Sequence, residues 1–192
     1  MMTSTPPGAR IRNAISRTTG TRAVGTRLIA DTPLGPIRLA AGDDALLALD
    51  WIDPADVAEA MLAAEAGPQA ARILDETEAQ LRRYFAGELD RFDLPLAPAG
   101  TEFRRAVWTA MLDIPYGETE TYGDMARRVG SVARAVGGAC GANPIPIVIP
   151  CHRVVGGGHS IGGFSARGGV DTKRFLLHLE RARTPERQPR LL

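Results

Sequence analysis

At 192 residues the chain can form one large domain or two small ones. No apolar run is long enough to span a bilayer as a helix, and the N-terminus lacks the apolar core of a secretory leader. Two cysteines, Cys140 and Cys151, are too few for a disulfide scaffold, and with His152, His159 and His178 they show no zinc-ligand spacing. No zinc site or membrane-spanning helix is therefore expected, and a reducing cytoplasmic location suits the free thiols.

The net charge of +1 hides an uneven distribution. Residues 1–30 carry five arginines and no acid, residues 31–100 five arginines against fourteen acids, and residues 101–183 eleven basic residues against seven acids. A basic C-terminal half beside an acidic N-terminal half suits a protein that meets phosphate on one side only.

Residues 1–24 are rich in Ser, Thr, Arg and Gly without apolar periodicity, and read as a disordered basic tail. Three strands follow, Arg27–Ala30, Ile37–Ala41 and Leu46–Trp51, separated by the turns Thr32-Pro-Leu-Gly-Pro and Gly42-Asp-Asp. Helices are expected over about Pro54–Ala66 and Gln69–Phe85. Pro95, Pro98 and Gly100 mark a link. The expected organisation is α/β: a sheet-plus-helix domain over 25–97, a mostly helical domain over 98–183 with a helix-turn-helix, and a tail over 184–192.

The second half opens with apolar residues at Phe103, Val107, Ala110, Met111 and Ile114, which is helical spacing. Thr121 with Asp124 resembles a capped helix start, and that helix stops at Gly130. Ser131 can cap the next helix, Val132 to about Ala142, so that the two form a helix-turn-helix. This second helix reads Val-Ala-Arg-Ala-Val-Gly-Gly-Ala-Cys-Gly-Ala, with Arg134 as its one charge. Glycine inside a helix costs about 1 kcal/mol relative to alanine, so Gly137 and Gly138 need a reason. One is close packing inside the protein. The other is close approach to a narrow groove such as the DNA minor groove, roughly 6 Å wide.

After Asn143-Pro144 comes an apolar strand-like run, Ile145 to Ile149, then Pro150-Cys151-His152-Arg153-Val154. Proline stiffens the backbone before the thiol. A lone cysteine in such a run is more often a small buried hydrophobe. Adjacent side chains of an extended segment also point to opposite faces, so neighbouring Cys151 and His152 prove little alone.

Taken in order, Tyr122, Ala133-Arg-Ala-Val-Gly137, Asn143-Pro-Ile-Pro146, Pro150-Cys-His-Arg-Val154, Gly162-Gly-Phe-Ser165 and Lys173-Arg-Phe-Leu-Leu-His-Leu-Glu180 resemble the O6-alkylguanine-DNA alkyltransferases. The resemblance is strong over 101–180 and weaker over 27–92. It implies repair of double-stranded DNA by irreversible, stoichiometric transfer of an alkyl group from O6 of guanine to Cys151, with O4-alkylthymine as a second candidate substrate. It implies no cofactor and a monomer. By the same resemblance His152 draws the thiol proton through a water and Glu180 orients that histidine. Tyr122 donates near the flipped base, and Arg134 fills the vacated stack. Ala133, Ala135 and Gly137 lie against DNA, and Asn143 is the hinge to the Cys151 segment. Val148 and Cys151 read the guanine edge through their backbones, and Ser165 closes over the base. The loop after Phe164 is longer than in relatives, so either Ser165 or Arg167 can fill the donor position there. Rival readings are a non-catalytic lesion binder, which would lack the thiol, and a cysteine hydrolase, which would leave Arg134 and the paired glycines unexplained.

Overall fold

A computed structural model of the chain describes residues 15, 22–60, 66–158 and 160–182. Apart from Ile15 and residues 22–24, the expected tails at 1–24 and 184–192 lie outside the described residues, as does His159.

The N-terminal strands form on short runs rich in Leu, Ile and Ala that are separated by turn residues. Strands β1 (Gly25–Ile29), β2 (Ile37–Ala41) and β3 (Leu46–Trp51) make an antiparallel meander in the order β1-β2-β3. Leu39 stands opposite both Arg27 and Leu49, and a bulge at Ala40/Ala41 shifts the β2–β3 register. Ile29, Ile37, Leu39 and Leu49 face inward and are buried. The helix expected from Pro54 starts as a 3₁₀ turn, Pro54–Asp56, with the Asp53 carboxylate accepting from the Ala55 N–H at 3.0 Å. It continues as α1 (Val57–Ala60), and residues 61–65 lie outside the described residues.

Helix α2 (Pro68–Phe85) starts on a proline, whose missing N–H costs nothing there. It covers the sheet with Ala70, Leu74, Thr77, Leu81 and Tyr84. The link beyond it is docked rather than free. The Gln80 amide donates to the Asp93 carbonyl at 3.0 Å and accepts from the Asp93 N–H at 2.8 Å. Leu46 N–H donates to Pro95 O and Ala97 N–H to Leu46 O. Leu94 and Leu96 are fully buried.

Helix α3 (Glu102–Leu112) begins at Thr101, whose hydroxyl accepts from the Arg104 N–H at 3.3 Å. A two-residue strand, β4 (Glu120–Thr121), leads into α4 (Tyr122–Arg128), capped by the Thr121 hydroxyl. Ser131 does not cap the next helix. It closes α4 instead: Ser131 N–H donates to Ala126 O and Gly130 N–H to Arg127 O, with Gly130 at φ +64°. That is the Schellman closure, which needs a left-handed residue and favours glycine. The N-cap of α5 (Ala133–Gly141) is Val132, which offers no side-chain oxygen.

The Ile145–Ile149 run is not a strand. It folds back as a tight turn, Ile149 N–H donating to Ile145 O at 2.9 Å, with Ile147 fully buried at φ +74°. Cys151–Arg153 then form one 3₁₀ turn, followed by β5 (Val154–Val155) and α6 (Gly169–Leu179). Strand β5 pairs in parallel with β4, Thr121 opposite Val155. Through this pair the start of α4 is held against the exit of the cysteine turn.

One apolar core runs through both halves and includes Leu49, Leu74, Tyr84, Trp108, Met111, Ile145 and Cys151. Trp108 is central: fully buried, it donates from Nε1 to the Ala139 carbonyl of α5 at 2.8 Å. Its ring passes Gly100 so closely that a Cβ there would lie 2.6 Å from it. Replacing Trp108 by phenylalanine leaves a void and removes the indole hydrogen bond to Ala139 O, which then keeps only the longer bond from the Ala142 N–H at 3.3 Å. We expect a loss of about 2–3 kcal/mol in denaturant unfolding.

Candidate active site

Because Cys151 and His152 lie on a 3₁₀ turn rather than an extended segment, they serve two different places. Cys151 lines a cleft of about 640 Å³ together with Tyr122, Arg134, Gly137, Cys140 and Ser165. His152 turns into the interior, where it is fully buried. Burial pushes the Cys151 thiol pKa up, opposed by a hydrogen bond from Asn143 and the charge of Lys173. The resting group is a protonated thiol that needs a base to become a nucleophile.

Asn143 shapes the approach to that thiol. Its Nδ2 donates to Ile149 O at 2.8 Å and its Oδ1 accepts from Ile145 N–H at 3.0 Å. One side chain thus closes the turn that carries a buried β-branched residue at positive φ, a conformation costing of order 1–3 kcal/mol.

Behind Cys151, His152 Nε2 meets Glu180 Oε1 at 2.9 Å. Glu180 sits just past the C-terminus of α6, where the helix dipole disfavours an anion. Four other hydrogen bonds hold it there. Arg153 donates Nε to Oε2 and Nη2 to Oε1, both at 2.9 Å, and Gly117 N–H reaches Oε2 at 3.2 Å. Tyr84 Oη donates to Oε1 at 2.7 Å. Burial alone would raise the Glu180 pKa, but hydrogen bonds from His152 and Arg153 and the Arg153 charge hold it well below the usual carboxylate range. For His152 burial lowers the pKa, as do the charges of Arg153 and Lys173, while Glu180 opposes them. We take the resting pair as a carboxylate and a neutral imidazole whose Nε2–H donates to Glu180. Nδ1 has no partner among the described residues, and in this tautomer it is the free basic lone pair.

Tyr122 forms another wall. Burial pushes its pKa up to about 12, with Cys140 and Cys151 adding to the effect, so it remains a hydrogen-bond donor at neutral pH. Gly162, at φ +77°, lets the chain pass the ring; a Cβ there would lie 2.9 Å from Tyr122 Cε2. The Lys173 ammonium lies 5.6 Å from the centre of the same ring and donates to Val154 O at 2.6 Å and Gly163 O at 3.2 Å. Burial lowers its pKa to about 8.

In the loop after Phe164 the two candidate donors have different surroundings. Ser165 lines the cleft and donates to Gly141 O at 3.1 Å. Arg167 is engaged elsewhere, donating to Ile52 O at 2.5 Å and pairing with Asp53 at 3.5 Å. Val148 does not line the cleft. It is buried and borders a second cleft with Phe92, Tyr116 and Pro150, because the left-handed turn at Ile147 redirects the chain.

On α5, Val136, Ala139 and Cys140 face the core, while Ala133, Arg134 and Gly138 are exposed and Ala135 and Gly137 half-buried. Nothing lies within 4 Å of a Cβ placed on Gly137 or Gly138. Internal packing therefore does not explain these glycines, and the close-approach alternative remains.

Two family profiles match the chain in succession: 6-O-methylguanine DNA methyltransferase, ribonuclease-like domain, over residues 27–98, and its DNA binding domain over 102–182. The chain belongs to the 6-O-methylguanine DNA methyltransferase family. A methylated-DNA–protein-cysteine methyltransferase of Methanosarcina acetivorans is 42% identical over 154 residues, covering 79% of this chain and 96% of the relative. One of Mycobacterium bovis is 41% identical over 158 residues, covering 81% and 92%. The crystal structure of Mycobacterium tuberculosis OGT in complex with DNA superposes with a TM-score of 0.68 at 42% identity, covering 83% of this chain and 94% of that one.

Within this methyltransferase fold, three polar residues that the sequence reading passed over converge on the site: Tyr84, Arg153 and Lys173. A signal existed for Lys173. With Leu176, Leu177 and Glu180 it occupies positions i, i+3, i+4 and i+7, a single face whose apolar members mark it as buried. Because Gly137 has open space, Gly137→Ala is expected to stabilise the protein by about 0.5–1 kcal/mol. The same methyl group on the cleft side should weaken binding to duplex DNA, read by gel shift beside a thermal melt.

Proposed function

We propose that Cys151 is the alkyl acceptor in a single-use repair of O6-alkylguanine in duplex DNA, served by the groups that surround it. What supports this most is the pairing of a buried thiol at the floor of an open cleft with a buried His152–Glu180 pair behind it. His152 Nδ1 takes the thiol proton through a water, and the thiolate attacks the alkyl carbon. The new S–C bond forms as the C–O6 bond breaks, and the electron pair leaves on the guanine oxygen and ring. Tyr122 donates a hydrogen bond to the ring as that charge develops. The proton held on His152 returns to the base, leaving guanine and an S-alkylcysteine. Nothing in this balance reverses the thioether, so one chain repairs one lesion.

The target atom lies within the stacked duplex, so the base must be flipped into the cleft. Helix α5 presents only small side chains and one long one to the outside, which fits a helix lying in the narrow groove with Arg134 in the vacated stack. Ser165 and the backbone of Cys151 close on the base; Val148, on the other cleft, has no part in this reading. The chain acts as a monomer in the reducing cytoplasm, where both cysteines stay free.

Intact mass after mixing with an O6-methylguanine duplex tests the reading. One methyl is expected on Cys151, one equivalent of DNA consuming one of protein. Cys151→Ala should take up none yet retain duplex affinity, because the thiol touches no phosphate. Transfer to another residue, or more than one methyl per chain, would overturn it. Separately, Arg134→Ala is expected to slow repair in duplex by at least tenfold while leaving reaction with free O6-benzylguanine within about twofold, since only the duplex has a stack to refill. Equal losses on both substrates would remove Arg134 from that role.

A further inference from the structure

The Glu180 carboxylate is reached from both halves of the chain. Arg153, Gly117 and His152 belong to the half that carries the cleft. The remaining donor, Tyr84, stands on α2, 96 residues earlier in sequence. Its hydroxyl meets Oε1, the oxygen that also accepts from His152. The Tyr84 ring is fully buried and packed edge-on to Phe85 and Tyr116 and tilted against Phe92. Packing explains the ring, and a buried hydroxyl needs some acceptor. Packing does not explain why that acceptor is the atom that holds the base.

We propose that Tyr84 is a positioning residue for alkyl transfer, through which the N-terminal half draws charge from Glu180 Oε1 and keeps His152 a weak, neutral base. This rests on the reading of Cys151, His152 and Glu180 given above. A short hydrogen bond from a hydroxyl to a carboxylate spreads the anionic charge. A carboxylate with less charge on Oε1 stabilises an imidazolium less. The other groups around the pair are accounted for. Arg153 and Lys173 oppose a charge on His152, Cys151 shares its proton, and Tyr116 lies against the Arg153 guanidinium, 5.9 Å from it. Asp90 and Arg181 act on Tyr116 from the surface. Tyr84 itself stays protonated, since burial and the Glu180 charge raise its pKa well above the ordinary value.

The consequence concerns a shared proton. When thiol and imidazolium lose their first proton, two forms share the product: neutral imidazole with thiol, and imidazolium with thiolate. The second is the reactive one, and Tyr84 disfavours it. Removing the hydroxyl concentrates charge on Oε1 and stabilises the imidazolium. The reactive form then gains population while the apparent pKa of the acid limb rises.

The test is the pH–rate profile for alkylation by free O6-benzylguanine, wild type against Tyr84→Phe, with thermal melts of both. Arg153 and Gly117 keep the carboxylate seated, so the variant should fold. Its acid limb is expected about half a pH unit higher and its plateau rate about threefold faster, the two shifts being the same change in the imidazole constant. In a Glu180→Gln background the Tyr84→Phe shift should vanish. A limb that stays in place, with the rate unchanged or lowered equally at every pH, would overturn the inference and leave Tyr84 a packing residue. So would a shift that persists in the Glu180→Gln background. Failure of the wild-type protein to alkylate at Cys151 would instead overturn the functional reading itself, a result distinct from either.

Discussion

Much of this structure depends on one buried anion. A carboxylate removed from water costs several kcal/mol unless it is paired and fully hydrogen-bonded. Glu180 lies at the unfavourable end of a helix dipole and is 2% exposed. Five hydrogen bonds compensate, from α2, from the turn after α3, and from the two residues that follow Cys151. Satisfying this charge brings three distant segments to one point and, in doing so, fixes the tautomer of His152. The fold's most demanding electrostatic requirement and the site's chemistry are met by the same contacts.

The thiol is positioned by a second constraint, the loop between α5 and the cysteine turn. An isoleucine at positive φ is unfavourable in isolation, yet Ile147 is fully buried among apolar neighbours and enclosed by the two Asn143 hydrogen bonds. The reversal at Ile147 sends Val148 to one cleft and Cys151 to the other. A more relaxed extended run would have kept neighbours alternating across a single sheet and given no such division.

The acidic N-terminal half is more than a passenger. It touches the catalytic half through Leu49 N–H to Pro144 O at 2.8 Å, through Ile52 and Asp53 to Arg167, and through Tyr84 to Glu180. These contacts fall on the loop before Cys151, the loop that closes the cleft, and the relay behind it. Its excess of acid makes it unsuited to phosphate. The division of charge along the chain thus corresponds to a division of labour between support and DNA contact.

Local pattern was enough for the meander, for α2, α3 and α4, and for the ordered motifs from Tyr122 to Glu180, because these depend on side-chain periodicity, caps and neighbouring residues. It was enough to mark Cys151, Arg134 and the paired Gly137 and Gly138 as unusual. It misjudged Ser131, since a serine suits an N-cap as well as the residue beyond a Schellman turn, and only the closure at Gly130 separates the two. It misread Ile145–Ile149, since an apolar run looks alike whether extended or folded back. Tyr84 falls on the apolar stripe of α2 with Leu74, Thr77 and Leu81, so its spacing marks it as core and nothing more. That its hydroxyl meets a carboxylate 96 residues away is decided by how two halves pack. The sequence by itself determined which residues could do the chemistry, because reactivity belongs to residue type. Only the tertiary structure decided which of them meet, because that depends on which buried charge must be satisfied, and by whom.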